Sequence, residues 1–148
     1  METPVLHAGL MALRLDGLWR GLLIRGPSGA GKSTLSLQLL ARGLRLVADD
    51  RVILFRSGDR LFGKAPKPLY GLIEARGFGV TPSPSSPVST CEVVGVVNLV
   101  TGEAVERHPD PDFETFAAIP LRRYALTPDD PALAMKFELM LRQAIRNI

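Results

Sequence analysis

The stretch GLLIRGPSGAGKSTLSLQLLARG (residues 21–43) joins an apolar run, a glycine-rich loop and a leucine-rich segment. The apolar run indicates a buried strand, and the leucine spacing of the last segment indicates a helix. Between them, the loop fits G-x-x-x-x-G-K-[ST], the P-loop pattern whose backbone N–H groups bind phosphate. Its glycines let the backbone approach phosphate oxygens closely, and the helix directs its partially positive N-terminus at them. The stretch therefore predicts an α/β nucleotide-binding fold.

The residues expected to contact the nucleotide form one continuous segment. They are Gly26, Pro27, Ser28, Gly29, Ala30, Gly31, Lys32, Ser33 and Thr34. Within this segment the Lys32 ammonium would neutralise the β- and γ-phosphates, and the Ser33 hydroxyl would ligate Mg²⁺. The motif thus predicts a nucleoside triphosphate and Mg²⁺ as ligands.

The composition predicts one globular domain over residues 1–148. A hydrophobic fraction of 46% and a charged fraction of 22% are ordinary for a globular chain of this length. The apolar runs are shorter than the roughly 20 residues that span a bilayer. The N-terminus also lacks the basic start and continuous apolar stretch of a signal peptide. We therefore expect a cytoplasmic protein that does not bind membranes.

The net charge of +3 is unevenly spread, because residues 1–80, which contain the P-loop, hold twelve Lys and Arg against six Asp and Glu, whereas residues 81–148 hold six against nine. This suits an anionic ligand or an acidic partner. The basic residues are scattered and are not interleaved with aromatic residues, so nucleic acid is not an expected partner. Cys91 is the single cysteine, and we expect it to be a small buried residue at the start of a strand.

Two antiparallel hairpins and two helices are predicted outside the P-loop unit. Asp-Gly at positions 16–17 and Ser-Gly-Asp at positions 57–59 are turn signals between apolar runs. The segment PLYGLIEARG (68–77) is expected to form a short helix that ends at Gly77. A closing helix is indicated by apolar residues at helical spacing. These residues are Leu133, Phe137, Met140, Ala144 and Ile148.

Between these elements lie a further strand and two loops. The segment EVVGVVNLV (92–100) predicts a buried strand. The segments TPSPSSPVST (81–90) and HPDPDFET (108–115) are rich in turn-forming residues and predict irregular loops.

The segment LRLVADD (44–50) indicates an apolar strand that ends in two carboxylates. P-loop proteins place at this position a residue that faces Mg²⁺ or the nucleophile. Asp49 and Asp50 are adjacent, so if the strand continues to its end, their side chains would point to opposite faces and have different roles. A carboxylate beside Lys32 and Mg²⁺ would stay ionised and accept a proton from an attacking hydroxyl. The alternative is a solvated turn with a capping aspartate.

Three motifs, GPSGAGKS, LLARGLRLVADDRV and LIEARGFGV, occur in this order between residues 26 and 80. In order and approximate spacing they resemble the catalytic domain of HPr kinase/phosphorylase, especially the short forms that lack an N-terminal domain. The resemblance implies a P-loop mixed sheet with flanking helices, related to phosphoenolpyruvate carboxykinase and commonly assembled as a homo-oligomer, a hexamer. It also implies ATP- and Mg²⁺-dependent phosphorylation of a serine of HPr, a phosphocarrier protein.

Carried over to this chain, the resemblance assigns roles to seven residues. It makes Lys32 the phosphate-binding lysine, with Ser33 and Glu74 as Mg²⁺ ligands. It makes Asp50 the general base that takes the proton of the substrate serine, with Asp49 and His7 as supporting neighbours. Arg76 would lie near the transferred phosphate and stabilise its charge. Taken alone, His7 fits a structural histidine better than a catalytic one, and Arg76 and Glu74 fit surface residues.

The resemblance becomes weaker after Val80. Longer family members carry a stretch similar to PVRPGRN, associated with phosphate removal, before their late helix. The matching region here is ALTPDDPAL (125–133), which has no arginine. Asp129 and Asp130 would repel a bound phosphate if they faced it. We therefore expect phosphorylase activity to be weak or absent.

Two other functions fit the sequence. A non-catalytic module that senses ATP or phosphorylated metabolites would need the P-loop, but the presence of Asp50 and Glu74 favours the enzyme. A P-loop kinase with another substrate also fits the length. Kinases for small molecules usually close an arginine-bearing helical lid over the substrate, and the proline-rich second half of the chain indicates no such lid.

Overall fold

A nine-stranded mixed sheet with two helices forms the frame of the protein in the computed structural model, which describes residues 5–147. The helices are α1 (Lys32–Ala41) and α2 (Leu133–Arg146). The strands are, in chain order, β1 (Val5–Leu6), β2 (Gly9–Leu15), β3 (Leu18–Arg25), β4 (Arg45–Ala48), β5 (Val52–Ser57), β6 (Arg60–Lys64), β7 (Leu72–Ala75), β8 (Gly79–Pro82), β9 (Cys91–Leu99), β10 (Phe113–Phe116) and β11 (Ile119–Leu126). Strands β7 and β8 pair only with each other, as a separate two-stranded sheet.

The centre of the large sheet is the parallel pair β3 and β9, and β11 lies parallel to β9 on its other side. Arg25 at the end of β3 is opposite Asn98, and Leu99 is opposite Leu126. The carboxyl ends of these three strands therefore meet at one edge of the sheet. Open α/β sheets bind ligands at such an edge, and here the P-loop leaves β3 at that point.

Both predicted hairpins are confirmed. Strands β2 and β3 pair antiparallel around Asp16 and Gly17, which have φ of 53° and 78°. Positive φ at both central residues is the signature of a type I′ turn, which suits the twist of the flanking strands. Strands β5 and β6 pair around Gly58, whose φ is 62°.

The core has two layers, one on each face of the large sheet. On one face, α1 and α2 bury Leu35, Leu39 and Phe137 against the sheet. On the other face, residues of β5 and β6 join residues of the central strands in a second cluster that contains Cys91, which is buried at the first position of β9 as predicted. Burial raises the pKa of the Cys91 thiol, so the sulfur behaves as an apolar group.

Close strand packing requires glycine at position 21. A Cβ atom there would lie 2.5 Å from the Met11 carbonyl oxygen and 3.1 Å from Cys91 Sγ. Gly21 is in the middle of β3, between β2 and β9, so the strands on both sides restrict it.

The predicted helix over residues 68–77 is wrong. A single 3₁₀ turn (Lys67–Leu69) is followed by β7, which pairs antiparallel with β8. Buried Ile73 is followed by exposed Glu74, the alternation of a strand, and Gly77 with φ of 86° forms the hairpin turn instead of ending a helix.

The two predicted loops are partly extended. Residues 81–82 belong to β8, and residues 113–115 belong to β10, which forms a hairpin with β11. Residues 83–90 and 108–112 stay irregular.

The closing helix is confirmed, with Leu133, Phe137 and Ala144 buried. Met140 is partly buried against the core, and Ile148 lies outside the described residues. Among residues 5–147, neither helix combines the length and apolar character needed to cross a membrane.

Candidate active site

The P-loop connects Arg25 at the end of β3 to Lys32 at the start of α1. Gly29 and Gly31 have φ of 79° and 100°, a region that glycine adopts without strain. A Cβ atom on Gly26 would lie 3.1 Å from Ala30 Cβ and 3.3 Å from Leu99, so the loop packs tightly on the end of β9. The predicted strand, loop and helix are therefore present, with the loop at the carboxyl edge of the sheet.

The Lys32 side chain folds back over the loop. Its ammonium donates hydrogen bonds to the carbonyl oxygens of Gly26, at 2.7 Å, and Pro27, at 3.1 Å. These bonds hold the positive charge against the backbone that would surround a phosphate chain. A phosphate would compete with the two carbonyl oxygens for this ammonium.

Asp49 connects the P-loop helix to the separate β7–β8 hairpin. Its Oδ1 accepts a hydrogen bond from Ser33 Oγ at 2.9 Å, and its Oδ2 accepts one from the Glu74 backbone N–H at 2.9 Å. The side chain is buried, and burial raises the pKa of Asp49 although both hydrogen bonds act in the opposite direction. A cation beside this carboxylate would favour its ionised form. Ser33 and Glu74, 41 positions apart in the chain, thus lie on either side of one carboxylate.

Asp50 points to different partners. Its Oδ1 accepts a hydrogen bond from His7 Nε2 at 2.7 Å, and its backbone oxygen accepts one from the Ala8 N–H at 3.1 Å. Its side chain is 58% exposed. The structure therefore brings His7 and Asp50 together, from β1–β2 and the end of β4.

The side chains of Asp49 and Asp50 point in different directions, but the cause differs from the one predicted. Strand β4 ends at Ala48, so strand alternation does not act at positions 49 and 50. Asp50 instead has φ of 73°, in the left-handed region, and this turn directs its side chain away from that of Asp49. Aspartate is one of the few residues that tolerate this conformation.

The remaining predicted residues, Glu74 and Arg76, lie on the β7–β8 hairpin. Glu74 is exposed, and its backbone is fixed by Asp49. Arg76 is exposed in the hairpin turn, and the described hydrogen bonds do not join it to Asp49 or Asp50. The structure thus gathers the P-loop, Asp49 and Glu74 into one contact network, with the His7–Asp50 pair beside it and Arg76 in the adjoining turn.

Residues 5–147 contain no group of three His, Cys, Asp or Glu side chains arranged to hold a metal ion. Mg²⁺ does not need such a group, because it usually keeps several waters and binds one or two carboxylates together with substrate phosphates. The oxygen ligands around Asp49, the Ser33 hydroxyl and the Glu74 carboxylate fit this donor set.

Sequence reasoning missed a charged network directly before the P-loop. Arg25 donates to both carboxylate oxygens of Glu114, at 2.8 and 2.5 Å, and its Nε donates to Asn98 Oδ1 at 2.9 Å. Arg123 approaches the same glutamate at 3.4 Å. The only signal in the sequence is an arginine at the end of an otherwise apolar strand, and its partner is 89 positions away.

Glu114→Gln is expected to lower the free energy of unfolding by about 1 kcal/mol at neutral pH. Hydrogen bonds from Arg25 hold the pKa of Glu114 below its ordinary value. The ionised Glu114 carboxylate therefore stabilises the folded protein at pH values above the ordinary glutamate pKa. This stabilisation is lost as the pH falls through the lowered folded-state pKa. Urea unfolding of both proteins across this pH range would test the prediction. The difference in free energy of unfolding between the two proteins should become smaller toward acid pH. A difference that does not change with pH would contradict a stabilising role of the Arg25–Glu114 pair.

Comparison with known proteins agrees with this architecture. A family model described as HPr Serine kinase C-terminal domain matches residues 4–83. A solved structure of the Hpr(Ser) kinase/phosphatase from Coxiella burnetii superposes with a TM-score of 0.82 at 28% sequence identity, covering 97% of each chain. It confirms a mixed α/β fold with the sheet and two helices described above.

Two curated relatives are named HPr kinase/phosphorylase. The Leptothrix cholodnii protein is 35% identical over 90% of this chain and 43% of its own length. The Pediococcus pentosaceus protein is 40% identical over 74% of this chain and 30% of its own length. The chain thus spans less than half of these relatives. With more than half of its residues matched by the family model, the chain belongs to the HPr serine kinase C-terminal domain family.

Proposed function

We propose that the chain is a serine kinase that transfers the γ-phosphate of ATP, with Mg²⁺, to HPr or an HPr-like phosphocarrier in the cytoplasm. The observation that carries this proposal is the double hydrogen bond of Asp49. It fixes Ser33 and Glu74 on either side of one carboxylate and leaves Asp50, one residue further, free for a different partner.

The proposed roles follow from these contacts. The P-loop backbone and Lys32 bind the β- and γ-phosphates. Ser33 and Glu74 hold Mg²⁺, with Asp49 accepting the Ser33 hydrogen bond and orienting its oxygen. Mg²⁺ supplies positive charge that offsets the charge of the phosphates. Arg76 approaches the transferred group from the hairpin turn once the substrate is bound.

Asp50 acts as the general base. The substrate serine oxygen attacks the γ-phosphorus in line, a new O–P bond forms, and the bond to the β–γ bridging oxygen breaks to release ADP. The serine proton passes to Asp50, whose partial exposure leaves it accessible to a protein substrate. The hydrogen bond from His7 holds Oδ1 at 2.7 Å, whereas the Arg51 guanidinium lies 3.7 Å from Oδ2, so Oδ2 is the less tightly held oxygen for the serine to approach.

Phosphate removal is proposed to be weak or absent. Pro128 lies 3.6 Å from the position of a Cβ atom on Gly31, so this proline packs on the P-loop and Asp129 follows it directly in the chain. Asp130 forms an ion pair with Lys136, which lowers its pKa, whereas Asp129 accepts a hydrogen bond from Thr127. The carboxylate of Asp129 next to the loop would repel inorganic phosphate more than an arginine at this position would.

Labelled γ-phosphate transfer from ATP and Mg²⁺ to purified HPr-type carrier tests the function. Wild-type protein should label a carrier serine, and Lys32→Ala should reduce transfer by about 100-fold or more, because it removes the charge beside the phosphates. Lys64→Ala is the matched control, since the Lys64 ammonium lies over the Phe55 ring on the β5–β6 hairpin and should leave transfer unchanged.

Two outcomes would contradict the proposal. ATP binding without transfer to the carrier would remove HPr as the substrate and leave a sensor or a kinase for another partner. Equal transfer by wild type and Lys32→Ala would remove the P-loop from the reaction.

A further inference from the structure

The turn of the β7–β8 hairpin exposes two apolar side chains. Phe78 is 78% exposed and Val80 is 66% exposed, the highest values among the large hydrophobic residues of the described chain. Single exposed apolar residues are common on protein surfaces, but these two are separated by only one residue and so expose apolar surface close together.

The backbone holds Phe78 in this position. Gly77 and Gly79, on either side of it, have φ of 86° and 116°, and the Phe78 N–H donates to the Ala75 carbonyl oxygen at 2.8 Å. This tight turn leaves the aromatic ring outside the hairpin. The backbone conformation of the turn therefore keeps the Phe78 side chain exposed.

The exposed patch adjoins the candidate active site. Val80 is paired directly with Glu74 across the hairpin, so both side chains lie on the same exposed face. The Glu74 N–H is bonded to Asp49. Phe78 follows Glu74 by four residues, so it lies within about 13 Å of it along the chain.

The turn also carries a positive charge. Arg76 is exposed between β7 and Phe78 and enters none of the ion pairs of residues 5–147. The hairpin tip, defined as Arg76–Val80, thus presents apolar surface next to a cation. Its complement is a surface with an apolar side chain beside a negative group.

We infer that the hairpin tip is the docking element for the protein substrate, and this inference rests on the proposed kinase function. An apolar side chain of the carrier, within a few residues of the phosphoacceptor serine, packs on Phe78 and Val80. The serine is thereby delivered to Asp50, and Arg76 faces the negative charge nearby. Phe78 is a specificity-determining residue and takes no part in the chemistry.

The shape of the tip favours a macromolecule over a metabolite. Small-molecule sites are concave and bury most of the ligand, whereas the hairpin turn projects outward. A projecting ring becomes buried only against a partner that has a surface of its own. The carrier is the partner whose reacting group must come to the adjacent carboxylate.

Phe78→Ala should raise the KM for the carrier about tenfold or more, because the ring no longer becomes buried in the complex. The kcat and the affinity for ATP should not change, and Phe78→Leu should restore most of the lost affinity. Leu18→Ala is the matched control. Leu18 is also an exposed apolar residue beside a hairpin turn, 48% exposed, but it is at the opposite end of β3 from the P-loop.

Steady-state transfer measured against carrier concentration, with ATP affinity and oligomeric mass of each variant measured in parallel, separates the outcomes. If wild type transfers phosphate and Phe78→Ala has an unchanged KM, the docking inference is overturned and the kinase function stands. If wild type transfers nothing to the carrier, both are overturned. A changed oligomeric mass of Phe78→Ala would make the tip an interface between copies of this chain and would also overturn the inference.

Discussion

Asp50→Asn is expected to reduce phosphate transfer to the carrier by at least about 100-fold, while ATP affinity stays at the wild-type value. The amide cannot take the serine proton, so the general-base contribution is lost. Nucleotide binding should persist because the contacts of Asp50 are with His7, Ala8 and Arg51, and the P-loop bonds are made by other residues. Labelled transfer and equilibrium ATP binding, measured on the same preparations, test both parts.

The backbone conformation at position 50 accommodates this substitution without added strain. Asp50 has positive φ, and asparagine tolerates that conformation as well as aspartate does. Asp16→Asn is the matched control, because Asp16 also has positive φ, of 53°, but lies in the distant β2–β3 turn. Asp16→Asn should transfer phosphate normally. Full activity of Asp50→Asn would show that another group accepts the proton.

Gly21→Ala is expected to lower the free energy of unfolding by about 3 kcal/mol. The added Cβ would lie 2.5 Å from the Met11 carbonyl oxygen, a distance that side-chain rotation cannot relieve because the contact is with backbone. Strand β3 has a neighbour on each side, so moving it away from β2 would disturb its pairing with β9. Chemical denaturation monitored by circular dichroism measures the loss.

Gly102→Ala carries the same substitution at a site without these contacts. Nothing lies within 4 Å of a Cβ atom there, and its backbone φ is not in the left-handed region. Its unfolding midpoint should match that of wild type within error. If Gly21→Ala also has the unfolding midpoint of wild type, strands β2 and β3 do not lie as close together at this position as described.

The parts of the fold that could be predicted have local patterns. The P-loop, the turns at Asp16–Gly17 and Gly58, and α2 each occupy a short window in which residue spacing indicates one structure. The 68–77 segment lacks such a pattern, because few residues are available and Gly77 serves a helix end and a hairpin turn equally well. Tertiary pairing with β8 decided its structure.

The candidate site was predictable as a set of residues but not as a set of contacts. The tandem aspartates after β4 were expected to have separate roles, and their partners are indeed different. The hydrogen bond from Glu74 to Asp49 and the Arg25–Glu114 pair join residues far apart in the chain, and such contacts leave no periodicity in the sequence. They exist only once the sheet has formed.

The left-handed backbone of Asp50 limits how the protein can be re-engineered. Only glycine, asparagine and aspartate adopt this conformation at low cost, and among them aspartate alone carries a base. A glutamate at position 50 would bring a carboxylate base but would strain the left-handed turn that directs the side chain. Directed evolution toward a different proton acceptor therefore has to remodel the β4–β5 connection together with the side chain.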